Sequence, residues 1–260
     1  MDIEFGFLPQ TFFLVLARLL AILSTVPFFG GERMPVRLRI MVGFVIALVI
    51  TPMVPLAWAQ SAGQMTSLPA LVLGVMGEVI LGAAVGFVCH LFVSIFVVAG
   101  DMIAQCAGLS MATEVDPTSG MNNTIITNLL QSLFILTVVL SNGHLVLLKM
   151  VAASFYSVPP QCVWITKEWV YGIVSLGSGM FEWGIRLAAP IMAADLILNV
   201  GFALVARIAP DFDILFTAIP IRLLVALSLL GVILKLSGYF FDSVTRDMLA
   251  ACAAMLRVAL

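Results

Sequence analysis

The sequence predicts an all-α membrane-complex protein built from long, kinked apolar helical hairpins, and three observations carry that expectation. Of the 260 residues, 62% are hydrophobic and only 10% are charged, with a mean hydropathy of +1.18. Soluble domains are nearer half apolar and a quarter charged, so part of this surface must face lipid or other subunits. Apolar runs close to the ~20 residues of a spanning helix recur along the chain. Proline and glycine punctuate those runs, which bends a helix while leaving its apolar character intact.

The first run, 8–29, closes at Pro27 and the Gly30-Gly31 pair. A basic connector follows, with Arg33, Arg37 and Arg39 around Pro35; the positive-inside rule places it in the cytoplasm. The second run, 40–58, is interrupted by Pro52 and Pro55, and 59–67 reads as a short uncharged loop. Simple crossings from the connector put 59–67 outside and 207–213 inside. The run 69–99 exceeds one span, so it must tilt, protrude or bend. It carries Gly82 and Gly86, a small-xxx-small face suited to close helix contact. Residues 101–124 combine glycine, proline, Ser, Thr and Asn with Glu114 and Asp116, turn chemistry dense enough to break a helix. Helix resumes over 125–140, kinks or caps at Asn142-Gly143, continues over 145–156 and ends at Pro159-Pro160. Residues 163–171 mix Trp164, Trp169 and Tyr171 with Lys167 and Glu168, as at a membrane interface. A second over-long run covers 173–205, a polar turn surrounds Pro210, and 214–236 is apolar with Pro220 inside it. From Tyr239 the pattern turns amphipathic, with Phe241, Val244, Met248 and Met255 on one face and Asp242, Arg246 and Asp247 off it. That helix is suited to lie on a membrane surface or to dock on a partner.

Six charged residues, Arg18, Glu78, Lys149, Arg186, Asp195 and Arg222, interrupt apolar helical runs. At bilayer depth each is unfavourable by at least a few kcal/mol unless paired or hydrated. Glu182 and Arg186 are four residues apart and can satisfy each other. The rest either pair within the chain, Arg18 or Lys149 with Glu78 or Asp195, or face a watery path or a neighbouring subunit.

Other chemistries find little support. The formal charge of −2 offers no basic footprint for nucleic acid. The four cysteines, Cys89, Cys106, Cys162 and Cys252, are scattered without a C-x-x-C, so no metal or other cofactor is expected; Cys89 and Cys252 read as small core residues. Asp2 and Glu4 without early Lys or Arg have the wrong sign for a secretory leader, and none is expected. The Asn122-Asn123-Thr124 sequon carries no weight. An intramembrane protease using Ser110 and His144 would need a complete nucleophile elbow after a strand, and neither is present in the pattern.

The order and spacing of several features are more specific. They are Ala17-Arg18 in a helix ending Val26-Pro27-Phe28-Phe29-Gly30, the Met34-Pro35 connector, and Gly77-Glu78 followed by Gly82 and Gly86. Then come Gly100-Asp101, Gly108-Leu109-Ser110-Met111-Ala112, Asp116-Pro117, Asn142-Gly143-His144, Ser154-Phe155, Val158-Pro159, Arg207, Pro210 and Pro220. Together they resemble the flagellar export-gate family FliR, over essentially the full length, and its virulence-type counterparts in type III secretion; the loop from Gly108 to Pro117 favours the flagellar branch. Asp211-Phe212-Asp213 departs from the Gln-Met-Asn-like stretch of that family. The resemblance implies a non-enzymatic structural and gating subunit that joins FliP-like and FliQ-like membrane proteins in a closed helical gate at the flagellum basal body. It works there with FlhB-like and FlhA-like partners, in contact with lipid of the bacterial inner membrane, and passes unfolded protein substrates. It further implies a FliP-like part, 1–172 with the loop 101–124, followed by a FliQ-like hairpin and C-terminal amphipathic helix, 173–260. The loop residues Gly108, Leu109, Ser110, Met111, Glu114, Asp116, Pro117 and Gly120 are implied to plug the export path. A stand-alone small-molecule or ion transporter with proline-broken helices remains the alternative from the residues alone.

Overall fold

The computed structural model describes residues 9–27, 29, 35–65, 67–109, 124–158, 167–209 and 214–256. Among these the regular structure is entirely helical: α1 Pro9–Thr25, α2 Val36–Ile50, α3 Leu56–Gly63, α4 Leu68–Cys106, α5 Ile125–Leu140, α6 Gly143–Ser157, α7 Lys167–Ile208, α8 Ile214–Leu236 and α9 Gly238–Leu256. A 3-10 turn, Thr51–Met53, carries Pro52 and leads from α2 toward α3. The all-α class read from composition is therefore the observed one.

Among the described residues, four helical segments are long and apolar enough to cross a membrane: Val36–Met53, Leu68–Cys106, Trp169–Ile208 and Thr217–Leu236. The broken pair α5 and α6 makes a fifth if counted as one span. At ~1.5 Å per residue, the 39 residues of α4 extend about 58 Å and the 42 of α7 about 63 Å. Each is about twice the ~30 Å hydrocarbon core. Pro190 lies inside α7 and Pro220 inside α8, and both helices continue through them.

The chain divides into two compact units that interleave along the sequence. The first comprises 1–91, 139–175 and 245–260; the second comprises 92–138 and 176–244. This division by compactness differs from 1–172 and 173–260, which is a division by family likeness. In the first unit, Leu14, Val15, Leu19, Val85, Val88, Leu147 and Val151 are buried. The core of the second centres on Phe96, which stacks on Phe134 at 4.5 Å and on Phe241 at 4.8 Å between ring centroids.

Several expectations shift at the level of elements. The stretch 59–67 is not wholly a loop, because α3 runs to Gly63. Trp58 explains this: its indole N–H donates to the Val158 carbonyl at 3.0 Å, and Ala62 packs against the interior, so tertiary anchoring overrides a weak local pattern. Arg37 and Arg39 lie in the first turn of α2, not in a connector, because the helix starts directly after Pro35. The amphipathic α9 spends its apolar face within its own chain. Val244, Met248, Cys252, Met255 and Leu256 are buried while Asp242, Arg246 and Asp247 are exposed. Cys89 and Cys252 are both free and buried, with their sulfurs 3.6 Å apart; Cys162 lies outside the described residues.

Candidate functional site

Arg18 sits in the middle of α1 and is fully buried. Its Nε donates to Glu78 of α4, and its Nη1 donates to the Ser154 hydroxyl of α6 at 2.9 Å. Ser154 in turn donates to the Val151 carbonyl at 2.6 Å. The guanidinium carbon lies 4.2 Å from the centroid of Phe155 and 6.0 Å from that of Trp58. Those two rings meet edge to face. One cation therefore ties four helices of the first unit together through an anion, a hydroxyl and two aromatic faces. Nε and Nη1 of this buried charge are thus satisfied and two ring faces lie beside it, while Nη2 is buried without a hydrogen-bond partner.

The glycine face of α4 lies against α1. A Cβ on Gly82 would stand 2.6 Å from the Ala21 Cβ and 2.8 Å from the Arg18 carbonyl. A Cβ on Gly86 would fall inside the Thr25 side chain. These contacts bring two backbones close enough for Arg18 and Glu78, on the same pair of helices, to meet.

The other charged positions form separate arrangements. Arg186 donates to Glu182 at 2.5 Å on the exposed side of α7. In the second unit, Asp195 and Arg222 stand 3.8 Å apart, and Asn199 bridges them. Its amide donates to Asp195 at 3.0 Å and its carbonyl accepts from Arg222. Lys149 is exposed on α6. Sequence reasoning named Arg18, Glu78, Asp195 and Arg222, met Ser154-Phe155 only as part of a family pattern and not as partners of a charge, and missed Trp58 and Asn199. Polar and aromatic residues are common in any chain, and only the fold shows that these face a charge.

Of the gate-loop residues, Gly108 and Leu109 are described; Ser110, Met111, Glu114, Asp116, Pro117 and Gly120 lie outside the described residues. Gly108 has φ +75°. Its N–H donates to Gln105, and that of Leu109 reaches back to Ala104, both at 3.0 Å. This is a Schellman cap, and it requires a residue that adopts the left-handed region readily. On the other side of the loop, the Thr124 hydroxyl accepts from the Thr127 backbone N–H at 3.3 Å, capping the start of α5. The Thr127 hydroxyl donates to Asp101 at 2.6 Å, and the two Thr hydroxyls stand 2.7 Å apart. A Cβ on Gly100 would lie 2.5 Å from the Thr127 Cα, a backbone contact that could not yield. Thr127 was not singled out in the sequence, and Thr124 was met only in a sequon given no weight, because a lone Thr carries no distinctive capping signal.

Comparison with known proteins bears on what these arrangements serve. Residues 10–248 match the family described as bacterial export proteins, family 1. The flagellar biosynthetic protein FliR of Pectobacterium carotovorum is 30% identical over 89% of this chain and 87% of its own. The FliR of Escherichia coli K12 is 29% identical over the same shares. That of Buchnera aphidicola from Schizaphis graminum is 28% identical over 93% and 92%. With long apolar helices, a match across nearly its whole length and full-length relatives of one name, this chain belongs to family 1 of the bacterial export proteins, among the flagellar biosynthetic proteins FliR, as a membrane protein of the flagellar export apparatus.

Proposed function

We propose that this chain is a non-enzymatic structural and gating subunit of the flagellar type III export channel in the bacterial inner membrane. It assembles with FliP-like and FliQ-like subunits, works with FlhB-like and FlhA-like proteins, and passes unfolded flagellar proteins without a cofactor. The family match over residues 10–248 carries this reading. Two physical features support assembly. Helices α4 and α7 exceed the bilayer core about twofold, so apolar surface beyond the lipid needs protein to cover it. The apolar windows of α7 and α8 are only 11% and 17% buried within the chain, against 56% for α4. The apolar surfaces of α7 and α8 are thus largely available to neighbours.

On this reading the segment from Gly108 to Gly120 plugs the export path. Leu109, Met111 and Val115 supply apolar bulk, and Glu114 and Asp116 keep it out of lipid. Non-helical backbone at membrane depth survives only in a protein-lined or watery cavity. Native mass spectrometry in mild detergent tests the assembly, which should appear as a defined complex with the two small subunits; a monodisperse, protease-resistant monomer would refute it. Deleting Gly108 to Gly120 in an assembled complex should raise the leakage of small ions, with a smaller effect from Met111→Ala. A deletion complex as tight as wild type places closure in other subunits.

A further inference from the structure

The turn from α8 into α9 forms one side of a cavity in the second unit. It measures about 410 Å³ and is lined by Leu133 and Thr137 of α5, Leu234 of α8, and Gly238, Phe241 and Asp242 around the start of α9. That volume falls within the ~300–1,000 Å³ usual for ligand sites. The Phe241 ring is held in place, because it is buried and stacks on Phe96. Thr137 donates its hydroxyl to the Leu133 carbonyl at 2.9 Å, so the α5 wall spends its donor inside its own helix. Such a lining offers water few partners and favours an apolar occupant. Gly238 leaves the space open: a Cβ there would meet no atom within 4 Å. The cavity also lies where the chain leaves its apolar span. The spanning segment of α8 ends at Leu236, and Leu236 and Tyr239 are exposed beside the corner at Ser237. An apolar residue followed by an exposed aromatic is the pattern of a membrane interface. Lys235, in the last turn of α8, and Asp242, early in α9, are exposed on either side of the same corner. Both signs of charge therefore stand at the level of lipid headgroups.

We propose that this cavity holds an acyl chain of one zwitterionic phospholipid, phosphatidylethanolamine, with its phosphate toward Lys235 and its ammonium toward Asp242. An anionic lipid would match the lysine alone and meet the carboxylate as a like charge. The proposal stands on the membrane character of the chain and does not depend on what the export path does. The assembled complex is reconstituted into vesicles containing phosphatidylethanolamine with a diazirine on its acyl chain, or phosphatidylglycerol with the same chain. After irradiation, the adducts are mapped by mass spectrometry of the digested subunit. Wild type should carry the adduct on peptides containing Leu133 or Leu234, in higher yield from the ethanolamine lipid. Gly238→Phe fills the cavity and should lose that adduct while its thermal unfolding midpoint stays at the wild-type value, because the new side chain enters open space. Gly238→Leu gives the same comparison if the larger side chain prevents assembly. Asp242→Asn should keep the adduct and lower the headgroup preference about two- to fivefold, the scale of one exposed ion pair. Absence of the adduct in wild type, whether the cavity is empty or covered by a neighbouring subunit, overturns the proposal. An equal yield in the filled variants overturns it as well, and equal yields from the two lipids in wild type overturn the headgroup assignment.

Discussion

Arg18 and Glu78 are 60 residues apart in sequence and in direct contact in the fold, at a site where neither reaches water. The strength of such a pair is conditional. Taking either charge out of solvent is expensive, so removing one partner leaves the other stranded, whereas replacing both with apolar groups of similar volume is often nearly neutral. Glu78→Gln or Arg18→Met alone should therefore destabilise the protein by about 3–5 kcal/mol. The double variant Arg18→Met with Glu78→Met should recover most of that. Thermal unfolding of the detergent-solubilised complex measures both, and additive losses in the double variant would show that the charges do not depend on each other. The Gly86–Thr25 contact offers a second residue-scale test. Gly86→Ala should lower stability by roughly 1–3 kcal/mol through overpacking, and Thr25→Gly in the same chain should relieve it. A tolerated Gly86→Ala would mean that α1 and α4 move apart freely.

At the scale of elements, α9 illustrates what a sequence does and does not reveal. Its amphipathic spacing was legible, and the apolar face falls on the buried residues; what covers that face was not, because a hydrophobic stripe fits lipid, a partner or its own chain equally well. Met248→Asp should therefore destabilise the isolated subunit as well as the assembly, while Arg246→Ala and Asp247→Asn should stay within about 0.5 kcal/mol, as surface changes usually do. Loss of partner binding with no loss of subunit stability in Met248→Asp would show the opposite arrangement. The long helices were likewise legible as apolar runs, but their ends were not. The start of α2 at Val36 and the extension of α3 depend on Pro35 and on the Trp58 bond to Val158. That bond spans 100 residues and leaves no local trace in the sequence. The candidate site divides the same way: the buried charges announced themselves by being out of place, whereas Thr127 and Asn199 became visible only through the residues they touch.

At the scale of the whole molecule, the expectation concerns orientation in the membrane. Arg37 and Arg39 stand in the first turn of α2, and the positive-inside rule puts that end in the cytoplasm. Val36 is exposed there, and Gln64 is exposed at the end of α3, whereas Ala62 is buried and would be a poor probe. Val36→Cys should be shielded from a membrane-impermeant maleimide added to intact cells, and Gln64→Cys should react. Labelling of position 36 from the periplasm would reverse the assignment. Because α4 and α7 outrun one bilayer core, this assignment applies to the α2 end and does not propagate by counting crossings to later turns.

Asn142 has a consequence for how the chain is made. It holds a left-handed backbone, with φ 57°, between α5 of 16 residues and α6 of 15. Each helix extends about 22–24 Å, short of the ~30 Å core. During synthesis, however, the insertion machinery sorts nascent segments by apolar content before any tertiary contact exists, and 125–157 presents it with nearly unbroken apolar sequence. The segment is thus eligible to enter the lipid as one span at birth and becomes two short helices in the folded protein, with a single asparagine marking where it divides.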